Sequence, residues 1–211
     1  MKKIFDSYIK EDYKFDFQTM LGIIFLIVVI SGVFGFVYEF IFYYFNGGMK
    51  EFYMQGGNFL PWINIYAIGA LAVFFLTYRK RKNPILVFLI STLVCGVIEY
   101  FAGWFIYTFF DGTRFWDYNV EILNFGNIGG FICLRSVLFF GVSSLFLIYA
   151  IVPICFHLAR MMNKKTFIII STILFSIIMF DELYNLAFAR VLNLPRASEI
   201  YEKLGIHYVK F

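Results

Sequence analysis

The chain has 211 residues, 61% of them apolar and 15% charged, with 30 phenylalanines and a formal net charge of +4. A soluble domain of this length cannot hide that much apolar surface, so the composition excludes a water-soluble enzyme and indicates an all-α, polytopic membrane helix bundle. Cys95, Cys133 and Cys155 lie in three different apolar runs, are odd in number and match no metal spacing, so they read as packing residues and no metal or cofactor is expected.

Residues 1–18 mix Lys and Asp/Glu with Ile4, Phe5, Tyr8, Ile9, Phe15 and Phe17, the pattern of a cytoplasmic interfacial segment. The mixed charges and the long apolar run that follows exclude a cleavable signal peptide. A transmembrane helical domain is expected over 19–194, with spans at about 19–45, 61–78, 84–110, 131–156 and 166–190. The first span carries Gly32, Gly35 and Glu39 on one face and stops at Asn46-Gly47-Gly48. Pro61 suits the first turn of the short second span, and Trp62, Asn64 and Tyr66 mark its outer end as facing protein or water. Arg79-Lys80-Arg81-Lys82 form a cationic stop.

The third span is the informative one. Gly96, Glu99 and Gly103 fall within about 60° of one another on a helix that turns about 100° per residue. That face is a carboxylate, followed by Tyr100, flanked by two gaps where another helix or a ligand can come close. An ionisable group at that depth costs several kcal/mol unless it is paired, protonated or wetted, which marks Glu99 as functional; the alternative is a structural glutamate tied to a neighbouring helix. Residues 111–130 hold Arg114, Trp116, Asp117, Tyr118, Glu121, Asn124 and Asn127, too rich in anchoring groups for a tether, and are expected to fold back over the bundle. The fourth span carries Arg135 about one turn inside, and the fifth carries Asp181, Glu182 and Asn185. Residues 195–211 read as an extracytoplasmic amphipathic tail, with Ile200, Tyr201 and Leu204 on one side and Gly205 as a stop.

Eleven of the 18 Lys and Arg residues flank one side of these spans, six flank the other, and Arg135 lies within the membrane. The excess places the N-terminus in the cytoplasm and the tail outside. At about 1.5 Å per residue, Glu39, Glu99, Asp181 and Arg135 then sit roughly 9, 16, 13 and 6 Å below the outer surface. Four acids, Glu182 included, and one base cannot share a dry site fully ionised, so some are protonated or water enters. The expectation is a polar cavity in the outer half of the bilayer, built from Glu39, Glu99, Tyr100, Arg135, Asp181, Glu182 and Asn185. Pro61, Trp62, Tyr66, Trp116, Asp117 and Tyr118 form its lid or entry, and Arg135 pairs with Glu99 or, failing that, Glu39. The alternative is a single Arg–Glu pair plus carboxylates that reach the interface.

The ordered set Gly35 and Glu39; Gly57, Pro61, Tyr66 and Gly69; Glu99, Tyr100 and Gly103; Trp116, Asp117 and Tyr118; and Gly130, Ile132, Cys133, Leu134, Ser136 and Gly141 resembles the CmpB-like, type IV ABC-transporter permease family of small bacterial membrane proteins. The resemblance covers roughly residues 32–153. Asn64 stands where that pattern usually has a second proline, and the loop after Trp116-Asp117-Tyr118 is longer. The resemblance implies a multi-pass permease of the bacterial cytoplasmic membrane.

Three classes of function remain open at this point. The first is the membrane subunit of a transport system. It would need a separate ATPase subunit, because the chain has no Walker A pattern, and its negative layer would suit a cation or protons. The second is an intramembrane enzyme using paired carboxylates, although there is no Ser–His pairing and no zinc motif. The third is a non-catalytic stabilising or sensing partner of another membrane complex. The expected partners are the lipid bilayer, that ATPase and homo- or hetero-oligomeric subunits, with no nucleic acid.

Overall fold

A computed structural model describes residues 8, 9, 13–46 and 52–208. Much of the expected N-terminal surface segment, Gly47, Gly48, Lys50 and the last three residues of the tail lie outside the described residues. Among the described residues the chain forms α1 (Phe17–Asn46), α2 (Asn64–Thr77), α3 (Pro84–Phe109), α4 (Leu134–Met161), α5 (Lys164–Val191) and α6 (Ala197–Lys203). Two short strands, β1 (Tyr53–Met54) and β2 (His207–Tyr208), pair in parallel. One π turn interrupts α4 at Leu147–Ile151, and another interrupts α5 at Tyr184–Phe188.

Four helices, α1, α3, α4 and α5, are long and apolar enough to cross a membrane. The expected second span is realised as α2, whose 14 residues reach about 21 Å against a hydrocarbon core of about 30 Å. The shortfall has a local cause. The Phe59 and Leu60 amides donate to Asp181, and the Ile63 amide donates to the Gly32 carbonyl, so the helix starts at Asn64 and Pro61 precedes it. Pro84, by contrast, opens α3 as expected, with the Asn83 side chain accepting from the Leu86 amide.

The described chain divides into two compact units, with the boundary falling inside α2 and inside α4. One holds Gly69–Ile154 with Tyr8, Ile9, Tyr13 and Lys14; the other holds Phe15–Ile68 and residues 155–208.

In the first unit α3 lies against α4. Gly141 presses on Phe88 and Thr92, and Gly96 faces Val137, where an added Cβ would fall 3.3 Å from a methyl group. The small residues thus bring two apolar helices close, as membrane packing requires. Arg81 is not a solvated member of the basic run. It is 3% exposed, donates to the Tyr8 carbonyl at 2.9 Å and stacks on Tyr78 with 4.4 Å to the ring centroid. Its own carbonyl accepts from Tyr149, which projects from the π turn of α4.

In the second unit α1 lies against α5. Phe25 stacks on Phe175 at 4.1 Å, and Gly22 abuts Phe167 and Ser171. The start of α1 is held by Asp16, which accepts from Thr19 and pairs with Lys164 at 2.9 Å. The bond to Lys164, then that to Thr19, holds its carboxyl well below the usual range. The flat face made by Gly32 and Gly35 is filled by Trp62 and Tyr66; the Trp62 indole donates to the Val28 carbonyl at 3.2 Å. The tail packs inward. Ala197 and Tyr208 are buried, and Tyr208 joins Phe36, Met54 and Ile63 in one apolar cluster.

Candidate functional site

Glu99 is buried in the first unit, at 5% exposure, near the middle of α3. Both carboxylate oxygens are occupied by hydroxyls. Tyr118 donates to Oε1 at 2.6 Å and Ser136, in the first turn of α4, donates to Oε2 at 2.9 Å. Ser136 also lies 2.9 Å from the Cys133 carbonyl. A hydroxyl has one proton, so Ser136 serves either Glu99 or that carbonyl at any moment. Burial, and then the Glu99 charge, hold the Tyr118 phenol well above its ordinary range, so it keeps its proton and acts as a donor.

Residues 110–133 supply Tyr118, and they fold back over α3 as expected. Arg114 lies over the Tyr107 and Phe131 rings and donates to the Gly129 carbonyl at 2.9 Å. The Trp116 indole donates to the Phe131 carbonyl at 2.8 Å, and Asp117 accepts from the Asn119 amide at 3.0 Å. The Tyr118 amide reaches the Gly130 carbonyl. Gly103, expected as a gap beside Glu99, is covered by Trp116 and Phe131, just as Gly96 is covered by Val137. The gaps admit neighbouring parts of the same chain.

Arg135 takes Glu121 of this loop as its ion-pair partner, where the sequence argued for Glu99. The depth argument compared only helical residues and could not see an acid carried back by a loop. The guanidinium also lies 5.5 Å from the Tyr118 ring centroid, so it braces the residue that holds Glu99. Tyr100, half-buried, meets Phe131 edge-on.

The second unit holds a group of acids toward the C-terminal end of α5. Asp181 accepts from the Phe59 amide at 3.0 Å, the Leu60 amide at 2.7 Å and the Asn185 side chain at 2.8 Å. Glu182 accepts from Asn58 at 2.7 Å and Asn64 at 2.8 Å. Asn185, in the π turn of α5, accepts the Ala197 amide at 2.8 Å. The Tyr201 hydroxyl donates to the Phe59 carbonyl at 2.7 Å. Neutral donors therefore fill all four oxygens of the two acids and bind the 58–64 segment and the tail to α5.

Of the expected site residues, Glu99, Tyr100, Trp116, Asp117, Tyr118 and Arg135 belong to the first unit. Glu39, Pro61, Trp62, Tyr66, Asp181, Glu182 and Asn185 belong to the second. Glu39 is half-buried on α1, and its carbonyl lies 3.4 Å from the Tyr53 hydroxyl. Sequence reasoning missed Ser136, Glu121, Asn58 and Tyr201 as participants. Ser136 had a usable signal, since it is a hydroxyl in the first turn of a largely apolar run. Among the described residues no cluster of His, Cys, Asp and Glu is arranged to hold a metal ion.

No curated protein and no solved structure matches the chain. The four apolar helices make it a membrane protein. Residues 24–186, most of its length, match the profile of the family described as "Putative ABC-transporter type IV", and the chain belongs to that family.

Proposed function

We propose that the chain is the membrane subunit of a transport system and that Glu99 handles a cation or a proton within it. The observation that carries this reading is the pair of hydroxyl donors on a buried carboxylate. Its direct partners are neutral, and Arg135, which acts on Glu99 through space, makes its ion pair with Glu121. A hydroxyl can turn away and admit a cation or a proton without leaving a buried countercharge behind. Ser136 has the Cys133 carbonyl as its second acceptor, and Tyr118 sits on a loop rather than a helix. In this reading Tyr118 is the lid on Glu99 from the outer half of the bilayer. The energy source is a separate ATPase, docked on exposed cytoplasmic residues such as Arg79, Lys80 and Lys82.

Glu99→Gln keeps the shape of the side chain but cannot change charge. It is expected to preserve the melting temperature while abolishing transport-dependent growth or substrate binding; Glu99→Ala is expected to lower both. A stable and fully active Gln variant would leave Glu99 as a packing residue. It would favour instead a non-catalytic stabilising partner, the reading to which the fully occupied oxygens of Asp181 and Glu182 already lend support.

The topology in this proposal has five crossings, with α2 as a short crossing whose shortfall the 58–63 segment makes up. Single cysteines at Lys14, Asn83 and Asn163 should then label from the cytoplasm, and those at Thr113 and Lys203 from outside. All five positions are exposed, whereas Asn58 and Ser198 are buried and make poor reporters. The decisive comparison is Lys14 with Asn83: labelling from opposite sides means that 47–83 does not cross, and the count drops to four.

A further inference from the structure

The loop between α3 and α4 is built inside out. Most of its polar side chains are spent on bonds within the loop or to α3 and α4: Arg114 on Gly129, Asp117 on Asn119, Asn124 on the Tyr118 carbonyl, Asn127 on Asn119 and the Gly130 amide, Glu121 on Arg135, and Tyr118 on Glu99; Asp111 and Thr113 are exposed. Trp116 and Phe131 turn inward onto Gly103, but most of its other large apolar side chains face outward. Phe115 is 52% exposed, Val120 83%, Ile122 49%, Leu123 55%, Phe125 63% and Ile128 53%. Water selects the opposite arrangement. Leu123 even adopts a positive φ of 54°, a conformation unfavourable for a branched side chain, while pointing outward.

We infer that this loop is a membrane-interface anchor, with Val120, Ile122, Leu123 and Phe125 inserted among the acyl chains just below the headgroups of the bilayer that α3 and α4 cross. Three observations select lipid as the occupant. The loop is tethered at both ends to spanning helices, so it cannot leave the membrane surface. Its apolar face continues the exposed apolar ends of those helices, Phe109 and Phe110 on one side and Leu134 on the other. Much of its backbone is already bonded internally: the Tyr118 amide to Gly130, the Ile128 amide to Ile132 and the Leu134 amide to Phe125. Such satisfaction is what an apolar environment demands of irregular chain. The inference goes beyond the transport reading and does not need Glu99 to carry anything. It adds that the lid over Glu99 is held from outside by lipid as well as from inside by hydrogen bonds.

The test is a nitroxide attached to cysteine at Val120, at Phe125 and at the exposed control Thr113. The full-length protein is reconstituted in vesicles of phosphatidylethanolamine and phosphatidylglycerol. The native cysteines are buried and compete little for the label. Collision rates are measured with oxygen, which concentrates in lipid, and with a charged nickel chelate, which stays in water. The expected result is an oxygen-to-chelate ratio several-fold higher at Val120 and Phe125 than at Thr113. Equal ratios place the loop in water and overturn the inference. Shielding from both reagents at 120 and 125 also overturns it, because a protein subunit then covers the face. Phe125→Ser with the label at Val120 is the companion measurement: weaker anchoring should lower the ratio at Val120 while the melting temperature is kept. An unchanged ratio in that variant counts against the inference.

Discussion

Asp181→Ala should be among the most damaging single substitutions in the protein, lowering stability by about 3–5 kcal/mol. The carboxylate is 7% exposed and accepts three hydrogen bonds, two of them from consecutive backbone amides. A fully buried donor left unpaired costs about 1–3 kcal/mol; the Phe59 and Leu60 amides belong to half-buried residues, so water reaches them in part and the total stays below the sum. The damage would spread, because Asn185 keeps only its bond to the carbonyl of residue 181 and its hold on Ala197 at the start of α6 loosens. Glu182→Ala should cost less, about 1–2 kcal/mol, since its partner Asn64 is exposed and can turn to water. The measurements are the thermal midpoint in detergent and the hydrogen exchange of the Phe59 and Leu60 amides. An unchanged midpoint for Asp181→Ala would show that the 58–64 segment is held by its apolar contacts alone.

Arg135→Ala is the second large effect, expected at about 2–4 kcal/mol. Breaking a buried pair typically costs about 3–5 kcal/mol, and the figure is reduced here because the two side chains retain 17% and 15% exposure. The loss also leaves the Glu121 carboxylate without its cation and removes the guanidinium beside Tyr118. Arg79→Ala, at an exposed position, should stay within about 0.5 kcal/mol. Combining Arg135→Met with Glu121→Gln should recover most of the lost stability, because no charge is then stranded. If the double variant melts no higher than Arg135→Ala alone, the pair is not what holds the loop.

Where the sequence was legible, the signal was repetition of one physical requirement. A spanning helix must be apolar over its whole length, so α1, α3, α4 and α5 emerge close to their expected limits. The place of Glu99 well inside α3 follows from the same regularity. The partners of the acids do not. Glu121 and Tyr118 reach Arg135 and Glu99 through a loop without periodicity, and Asn58, Phe59 and Leu60 meet α5 from more than 120 positions away in the chain. The expected second span shows the limit most clearly. Hydropathy sees 61–78 as one apolar run, but the amides of Phe59, Leu60 and Ile63 already have acceptors elsewhere, and the helix starts only at Asn64.

The second unit is assembled from two stretches of sequence, 15–68 and 155–208, that are separated in the chain by residues 69–154 of the first unit. On a ribosome, Leu60 is therefore made 121 residues before the carboxylate that receives its amide. At about 5–20 residues per second that is a wait of roughly 6–24 s. During it α1 has neither Phe175 to stack on nor Ser171 to abut, and β1 has no β2. The interval is long enough for α3 and α4 to close on one another first, while α1 has only nearby residues such as Trp62, Ile63 and Tyr66 as partners. In a nascent chain arrested before Asp181 the Phe59 and Leu60 amides therefore have no carboxylate to meet, and the expected result is a protease-sensitive 52–63 segment in a chain whose α3–α4 pair is already protected.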